Sequence, residues 1–369
     1  MPADQIHPQD EPLVADAPQS DSFIKLDEDD VEHYRFRVSR NLTRRLDQYL
    51  TDRISYLSRS GVQRLISEGM VTVNGRPAKA SYRPRAGDIL EMVAPPEPVS
   101  EIVAEPIPLN VVYEDEHLMA INKQADLMVH PARGTWTGTL VNGLVYYGQK
   151  WSTVNGAWRP GILHRLDRNT TGIMLIAKSD EAHWRLARQF ENRTIQKSYL
   201  AVIHGLPELL ADVIDLPIGK DRYVREKQAV RKLENGGRPA VTVYQVQEVL
   251  EHPADLLADG PQAAQHGQKA LSRSCLVKLT PKTGRTHQLR VHMAAIGHPI
   301  VGDTTYGGKT VAKGFFRMQR QALHAAEITF VHPLTLKTMT LSAPLPEDFD
   351  RLLQILRGQE PTPPPAVEY

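Results

Sequence analysis

From residue 46 the chain spaces its apolar residues as a helix does: Leu46, Leu50 and Ile54 recur every fourth position. After Ser60, placed to act as an N-cap, Val62, Leu65 and Ile66 mark a second helical face that ends at Gly69. Two short helices are predicted. The period then drops to two. Val71-Thr72-Val73 alternates like a strand, Asn74-Gly75 is the strongest short signal for a hairpin turn, and Arg83 to Val93 reads as further strand around Gly87-Asp88. The residues before this block show no sustained period and few aromatics, so 1–34 is predicted to be an acidic, disordered tail.

Pro95, Pro96, Pro98, Pro106 and Pro108 predict a stiff linker over 95–108, because proline fixes the backbone and removes donors. Beyond it, strand-like runs (Asn110–Tyr113, Leu118–Ile121, Ile173–Ala177, Tyr199–His204, Ala240–Val246, Cys275–Leu279) alternate with only a few helical segments. This predicts a sheet-rich α+β domain over 109–348 rather than regular βαβ repetition. Residues 251–270, rich in Ala, Gln, Gly and Asp, read as a loop insertion. Residues 349–369, with four prolines after 357, read as a C-terminal tail.

A chain of 369 residues has room for two domains, and 41% hydrophobic with 24% charged residues is ordinary for a globular protein. No apolar run of about 18 residues is present, so no membrane helix is expected. The acidic start lacks the pattern of a secretory signal, and a cytoplasmic location is expected. The single cysteine, Cys275, excludes a disulfide framework and a multi-cysteine zinc site. Charge is unevenly placed. Residues 1–32 hold ten acids against Lys25, a net of −9, whereas 35–91 hold twelve bases against five acids, a net of +7. The basic block suits either a phosphate-binding surface or a solvated face, and its arginine dominance favours RNA.

The stretch from Arg45-Leu46-Asp47 through Leu65-Ile66, Gly69, Val71, Val73-Asn74-Gly75 and Gly87-Asp88 resembles the S4-type (alpha-L) RNA-binding domain, a small α/β module, over about fifty residues. The resemblance assigns 35–94 to that module and makes Arg44, Arg45, Arg59 and Arg64 candidate RNA contacts.

The densest polar segment runs from Gly161 through His164-Arg165-Leu166-Asp167-Arg168-Asn169-Thr170-Thr171-Gly172 into the apolar strand that follows. Asp167 is its one carboxylate, flanked by two arginines that favour the charged form. From the loop alone it is equally a nucleophile or half of a structural ion pair. The loop is similar to the His-Arg-Leu-Asp-x-x-Thr-Ser-Gly signature of the RluA-type pseudouridine synthases, with Thr171 in place of serine. Further matches follow in the family's order: Asn122-Lys123, Val129-His130-Pro131, Lys197-Ser198-Tyr199, Gly284-Arg285-Thr286-His287-Gln288-Leu289-Arg290-Val291-His292, Gly302-Asp303, Tyr306-Gly307 and Arg320-Gln321-Ala322-Leu323-His324-Ala325.

What the resemblance implies is a pseudouridine synthase fold, α+β with a mixed, mainly antiparallel sheet around a central catalytic cleft. Asp167 would be the catalytic aspartate, attacking at the sugar C1′ or at C6 of the base, or assisting elimination to a glycal. Tyr199 would stack on the freed base near the proton that leaves C5. Arg285 would pair with and orient Asp167, and Arg165 would enter the space left by the extruded base. His164 is expected to order the loop. Together with Arg168, Thr170, Lys123, His130 and Arg290 it completes the candidate RNA contacts. Helical spacing would place Arg285, Gln288 and His292 on a site face, opposite Leu289, Met293 and Ile296.

His130, His287, His292 and His324 lack ligand-like spacing, and the family reaction uses no metal or cofactor. The expected partner is RNA, with large-subunit ribosomal RNA ahead of transfer RNA, and the expected state is a monomer. A non-catalytic RNA binder is the competing class. A phosphotransferase is excluded because no glycine-rich phosphate loop accompanies the aspartate, and a glycosidase would want a second carboxylate. One departure stands out: Gln124-Ala125-Asp126 replaces the family's usual Pro-Ala-Gly, which is expected to change a turn and add a negative charge near an RNA-facing loop.

Overall fold

The computed structural model describes residues 22–28, 31–54, 57, 59–94, 102–131, 136–148, 150–155, 159–224, 227–257 and 271–361, in two units that divide between residues 101 and 102. The first unit contains β1 (Ser22–Glu28), β2 (Val31–Arg37), α1 (Leu46–Arg53), α2 (Arg59–Ser67), β3 (Val71–Val73), β4 (Arg76–Pro77) and β5 (Ile89–Ala94). Its antiparallel sheet has the order β1-β2-β5-β3-β4. Leu46, Leu50, Val62, Leu65 and Ile66 bury against Phe36, Leu90 and Met92, the helical faces that the periodicity predicts. Helix α2 starts at Arg59, so Ser60 lies inside it rather than capping it. Asn74 and Gly75, both left-handed at φ 53° and 75°, turn β3 into β4.

The expected tail over 1–34 is corrected in its last third. Residues 22–28 and 31–34 are strand, and the alternation of Tyr34, Phe36 and Val38, all buried, starts the module's core before the first helix. Residues 1–21 of that tail, and 95–101 of the linker, lie outside the described residues. The rest of the linker belongs to the second unit, where Ile102 and Ile107 pack on the core.

The second unit follows the order β6 (Val111–Glu114), β7 (Leu118–Lys123), α3 (Leu140–Tyr147), β8 (Thr171–Ala177), α4 (Asp180–Glu191), β9 (Gln196–His204), β10 (Ala211–Asp215), β11 (Ile218–Lys220), β12 (Gln228–Val230), β13 (Val241–Pro253), β14 (Leu271–Pro281), α5 (Gln288–Ala295), β15 (Ala312–Lys313), β16 (Phe316–Arg317), β17 (Leu323–Val331), β18 (Thr338–Ser342) and α6 (Glu347–Leu356). Its main sheet runs β10-β13-β14-β9-β17-β8-β7-β6, with β18 also on β17, and is antiparallel except where β17 meets β8. That parallel pairing needs glycine. Gly172 has φ +118°, and a Cβ there would fall 2.2 Å from Ala325 O.

Two further expectations are corrected. Strand β13 reaches Pro253, followed by a short 3-10 turn over 254–256. Within the expected insertion at 251–270, then, the first residues are ordered structure and 258–270 lie outside the described residues. Residues 349–356, expected in a tail, belong to α6, whose Phe349, Leu352, Leu353 and Leu356 sit in the main core at helical spacing. Among the described residues no helix is long and apolar enough to cross a membrane.

Candidate active site

The loop before β8 is a dense knot of polar side chains because each end of it is fastened to a different element. His164 Nε2 accepts the N–H of Leu175 at 3.0 Å, and its ring lies 4.7 Å from that of Phe190. Burial and the nearby Lys197 charge lower the His164 pKa to about 3, so it serves as a neutral acceptor. The Thr170 N–H closes a turn onto Asp167 O, its Oγ1 accepts from Gln321, and Thr171 Oγ1 meets His324 Nδ1 at 2.9 Å. Lys123, fully buried, donates to Gln124 O, Leu127 O and Arg168 O at 2.8–2.9 Å. Burial and the Arg320 charge push its pKa down to about 7. Arg320 pairs bidentately with Asp348 of α6 at 2.6 and 2.7 Å while its Nη1 donates to Asn169 O at 3.1 Å. Lys123 and Thr170 are therefore corrected: both face inward and hold the loop, a role that burial gives them and that residue type alone conceals.

Asp167 itself is left partly exposed and lines a cavity of about 710 Å³, within the size range of small-ligand sites. It is the one acid among the described residues lining that cavity. Arg290 Nη1 stands 3.5 Å from its Oδ2, and His287 Nε2 3.9 Å from its Oδ1. Arg290 also holds the buried Asp303 through two bonds of 2.7 Å, so the guanidinium is fixed before it meets Asp167. Gly302, beside Asp303, is left-handed at φ +76° and lies against the 320 backbone, where a Cβ would fall 2.1 Å from Arg320 O. Tyr199, on β9, is buried at the cavity wall, and burial together with the Asp167 charge raises its pKa, which keeps the phenol protonated.

The pairing expected of Arg285 is made by Arg290 instead. Helix α5 begins at Gln288, so Arg285 precedes it, lines the cavity and donates its Nε to Pro239 O at 3.1 Å. Of the expected site face, Arg285 and Gln288 line the cavity but His292 does not; Gln288 and His292 are buried and hydrogen-bond Thr242, fastening α5 to β13. Three residues come to the site without having been singled out for it: His287, Asp303 and Tyr306. His287 is left-handed at φ 56°, a strained state for a non-glycine residue, and burial lowers its pKa so that the ring is neutral. Its Nδ1 meets the Tyr306 hydroxyl at 2.8 Å, and that hydroxyl accepts the Gln228 N–H at 3.0 Å. The Tyr306 proton is thus available to Nδ1, which would leave the ring proton on Nε2, facing Asp167. Their signal lay in motif membership, which carries no geometry.

Arg165 is exposed on the cavity lining. His130 is partly buried outside the lining, its Nδ1 without a partner among the described residues, and burial with Arg159 and Arg165 nearby lowers its pKa to about 4. Among the described residues no three His, Cys, Asp or Glu side chains gather as a metal would require.

A family model described as RNA pseudouridylate synthase matches residues 117–295, and one described as S4 domain matches 44–90. The RNA pseudouridine synthase YlyB of Bacillus subtilis is 38% identical over 313 residues, covering 85% of this chain and 94% of that protein. A Zymomonas mobilis protein named ribosomal large subunit pseudouridine synthase D is 36% identical over 85% of this chain and 93% of its own length. A protein of the same name from Nitrosomonas europaea is 37% identical over 85% of each. The chain belongs to the RNA pseudouridine synthase family.

As a pseudouridine synthase it is an isomerase acting on RNA, built with an S4 domain. In that domain the buried Asp47 accepts from Arg45 at 3.0 Å, Arg59 at 2.9 Å and Gln63 at 2.6 Å, so Arg59 and Gln63 tie α2 to α1 while Arg45 holds the start of α1. Arg44 pairs with Asp52 and Arg64 with Glu68, both at the surface. Asp126 adopts the left-handed φ of 59° that a glycine would take, and its carboxylate is met by Arg168 at 2.8 Å. Arg168 is thereby turned toward Asp126, and the added negative charge is answered locally.

Proposed function

We propose that this enzyme converts uridine to pseudouridine in large-subunit ribosomal RNA, with Asp167 as the group that detaches the base. The observation that carries the reading is the lone carboxylate in a nucleoside-sized cavity, beside the Arg290 guanidinium and in a lining that also includes Tyr199. The target is supported by the names of the Zymomonas and Nitrosomonas relatives and by the S4 domain.

The chemistry follows from what must change. The C1′–N1 bond breaks, uracil turns, a C1′–C5 bond forms, C5 loses its proton and N1 gains one, so atoms balance without an oxidant or a cofactor. A nucleotide inside folded RNA must first be flipped out, and Arg165, exposed at the cavity, is suited to fill the vacated stack. The Asp167 carboxylate then attacks C1′ or C6, or assists elimination to a glycal. Arg290, rather than Arg285, orients that carboxylate. Tyr199, held protonated, packs on the detached base and keeps it from leaving during rotation. The enzyme is proposed to work as a monomer in the cytoplasm.

Primer extension on carbodiimide-treated ribosomal and transfer RNA, from cells with and without the gene, tests target and nucleophile together. Discrete stops in large-subunit RNA are expected to vanish in the deletion and to return with the wild-type gene but not with Asp167→Asn. Stops restored by the asparagine variant would refute the nucleophile, and stops lost only from transfer RNA would refute the target.

A further inference from the structure

The corner between α4 and β9 carries two cations that the chemistry above leaves unused. Lys197, second residue of β9, reaches the same cavity as Asp167. Its Nζ lies 5.7 Å from the centroid of the Phe190 ring, and a Cβ added at Gly284 would be 3.9 Å from it. The ammonium therefore sits between the end of α4 and the Gly284-Arg285 backbone. Among the described residues nothing accepts a hydrogen bond from it and no carboxylate pairs with it; Asp167 is paired with His287 and Arg290 instead. An ammonium removed from water without an anion is destabilising, and burial lowers this pKa accordingly.

Arg193 supplies a second observation. It follows α4 in the left-handed region, at φ 57°, where glycine is the usual residue and a side chain is strained. Its N–H closes the helix end on Phe190 O at 3.2 Å, and it lines the same cavity. With Arg165, Lys282 and Arg285 also on the lining, five cations besides Arg290 share the cavity with Asp167, and none of the five is within ion-pair reach of it. A cavity so charged lacks a second anion.

We propose that Lys197 seats a phosphodiester of the substrate RNA, the one adjoining the flipped uridine, with Arg193 as its second ligand at the cavity edge. Flipping a nucleotide carries its two flanking phosphates to the mouth of the pocket that receives the base, and a phosphate oxygen on Nζ would supply the missing anion. The flipped strand is thereby clamped while its base is detached. Lys197 is a binding and positioning residue here. The proposal rests on the cavity being the uridine site.

The test uses the full chain and a synthetic stem-loop RNA centred on a uridine mapped by the carbodiimide stops. Lys197→Met is expected to raise KM on the order of tenfold, with a smaller fall in kcat. It should also flatten the salt dependence of RNA affinity by about 0.7 in log–log slope, the share of one phosphate on a single strand. Lys197→Arg should restore the slope. Replacing one of the two phosphates beside the uridine with a neutral methylphosphonate should weaken wild-type binding and leave the RNA affinity of Lys197→Met unchanged, and the folded Lys197→Arg should lose affinity on that RNA as the wild type does, an arm that holds even if the methionine variant folds poorly. Unchanged slope and KM in Lys197→Met, or equal loss for the wild type and Lys197→Met on the methylphosphonate RNAs, overturns the proposal. Wild-type protein that converts no uridine in this RNA would instead bring down the reading of the cavity, and the proposal with it.

Discussion

Lys123 shows how much of a site is made by a side chain that never meets substrate. Its three ammonium protons answer three carbonyls, and one of these belongs to Arg168, next to Asp167. Lys123→Met keeps the bulk and removes every donor, leaving buried acceptors unmet at about 1–3 kcal/mol apiece before relaxation. A loss of at least about 2 kcal/mol in urea-unfolding stability is expected, and a loss near zero would mean that the loop is held by other contacts. Residue identity made Asp167 and Tyr199 legible in the sequence, because the carboxylate and the ring each stand within an ordered set of motifs. It could not separate Arg285 from Arg290. Which of two arginines flanking His287 meets the carboxylate depends on where α5 begins and on Asp303, a partner thirteen positions further on, and neither is local. Polar residues in a motif also look alike whether they face a ligand or the core, so residue type alone does not reveal that Lys123 and Thr170 face inward.

At the scale of elements, the two helices of the S4 domain and most of the predicted strands fall where periodicity put them, although the run expected from Arg83 to Val93 is strand only from Ile89. Helix α6 did not, because the prolines after it drew its residues into a supposed tail, although Phe349, Leu352, Leu353 and Leu356 carry the helical period. The helix matters to the site: its Asp348 fixes Arg320, which holds Asn169. A second device joins the β6–β7 turn to the turn after β17. Asp115 accepts from the N–H groups of His117 and Leu118 at 2.7 and 2.9 Å, from the Tyr113 hydroxyl at 2.7 Å and from His332 at 2.8 Å. Burial opposes its charge, yet these bonds hold its pKa down at about 2, below the ordinary 3.8. A carboxyl lowered on folding stabilises the fold fully above its unfolded pKa, and that contribution disappears as pH falls from about 4 through about 2. Asp115→Asn should therefore melt below the wild type at pH 7, with the gap closing between pH 4 and 2. A gap that stays constant over that range would show that the charge contributes nothing.

Across the whole molecule, the near-neutral total of +1 conceals an acidic start, a basic S4 module and a cavity in which cations surround one acid. That segregation was legible early because it needs only counting, whereas the cavity needed the sheet that brings Tyr199 and the end of the Asp167 loop to either side of β17. The synthase reading makes one demand of this assembly: a uridine cannot become pseudouridine without surrendering its C5 hydrogen. Ribosomal RNA transcribed with uridine tritiated at C5 therefore reports the reaction as tritium released to water. Full-length wild-type protein should release it to a fixed plateau, and Asp167→Asn should release none above background while binding the same RNA equally well. Release by the asparagine variant at the wild-type rate would contradict the account at its centre.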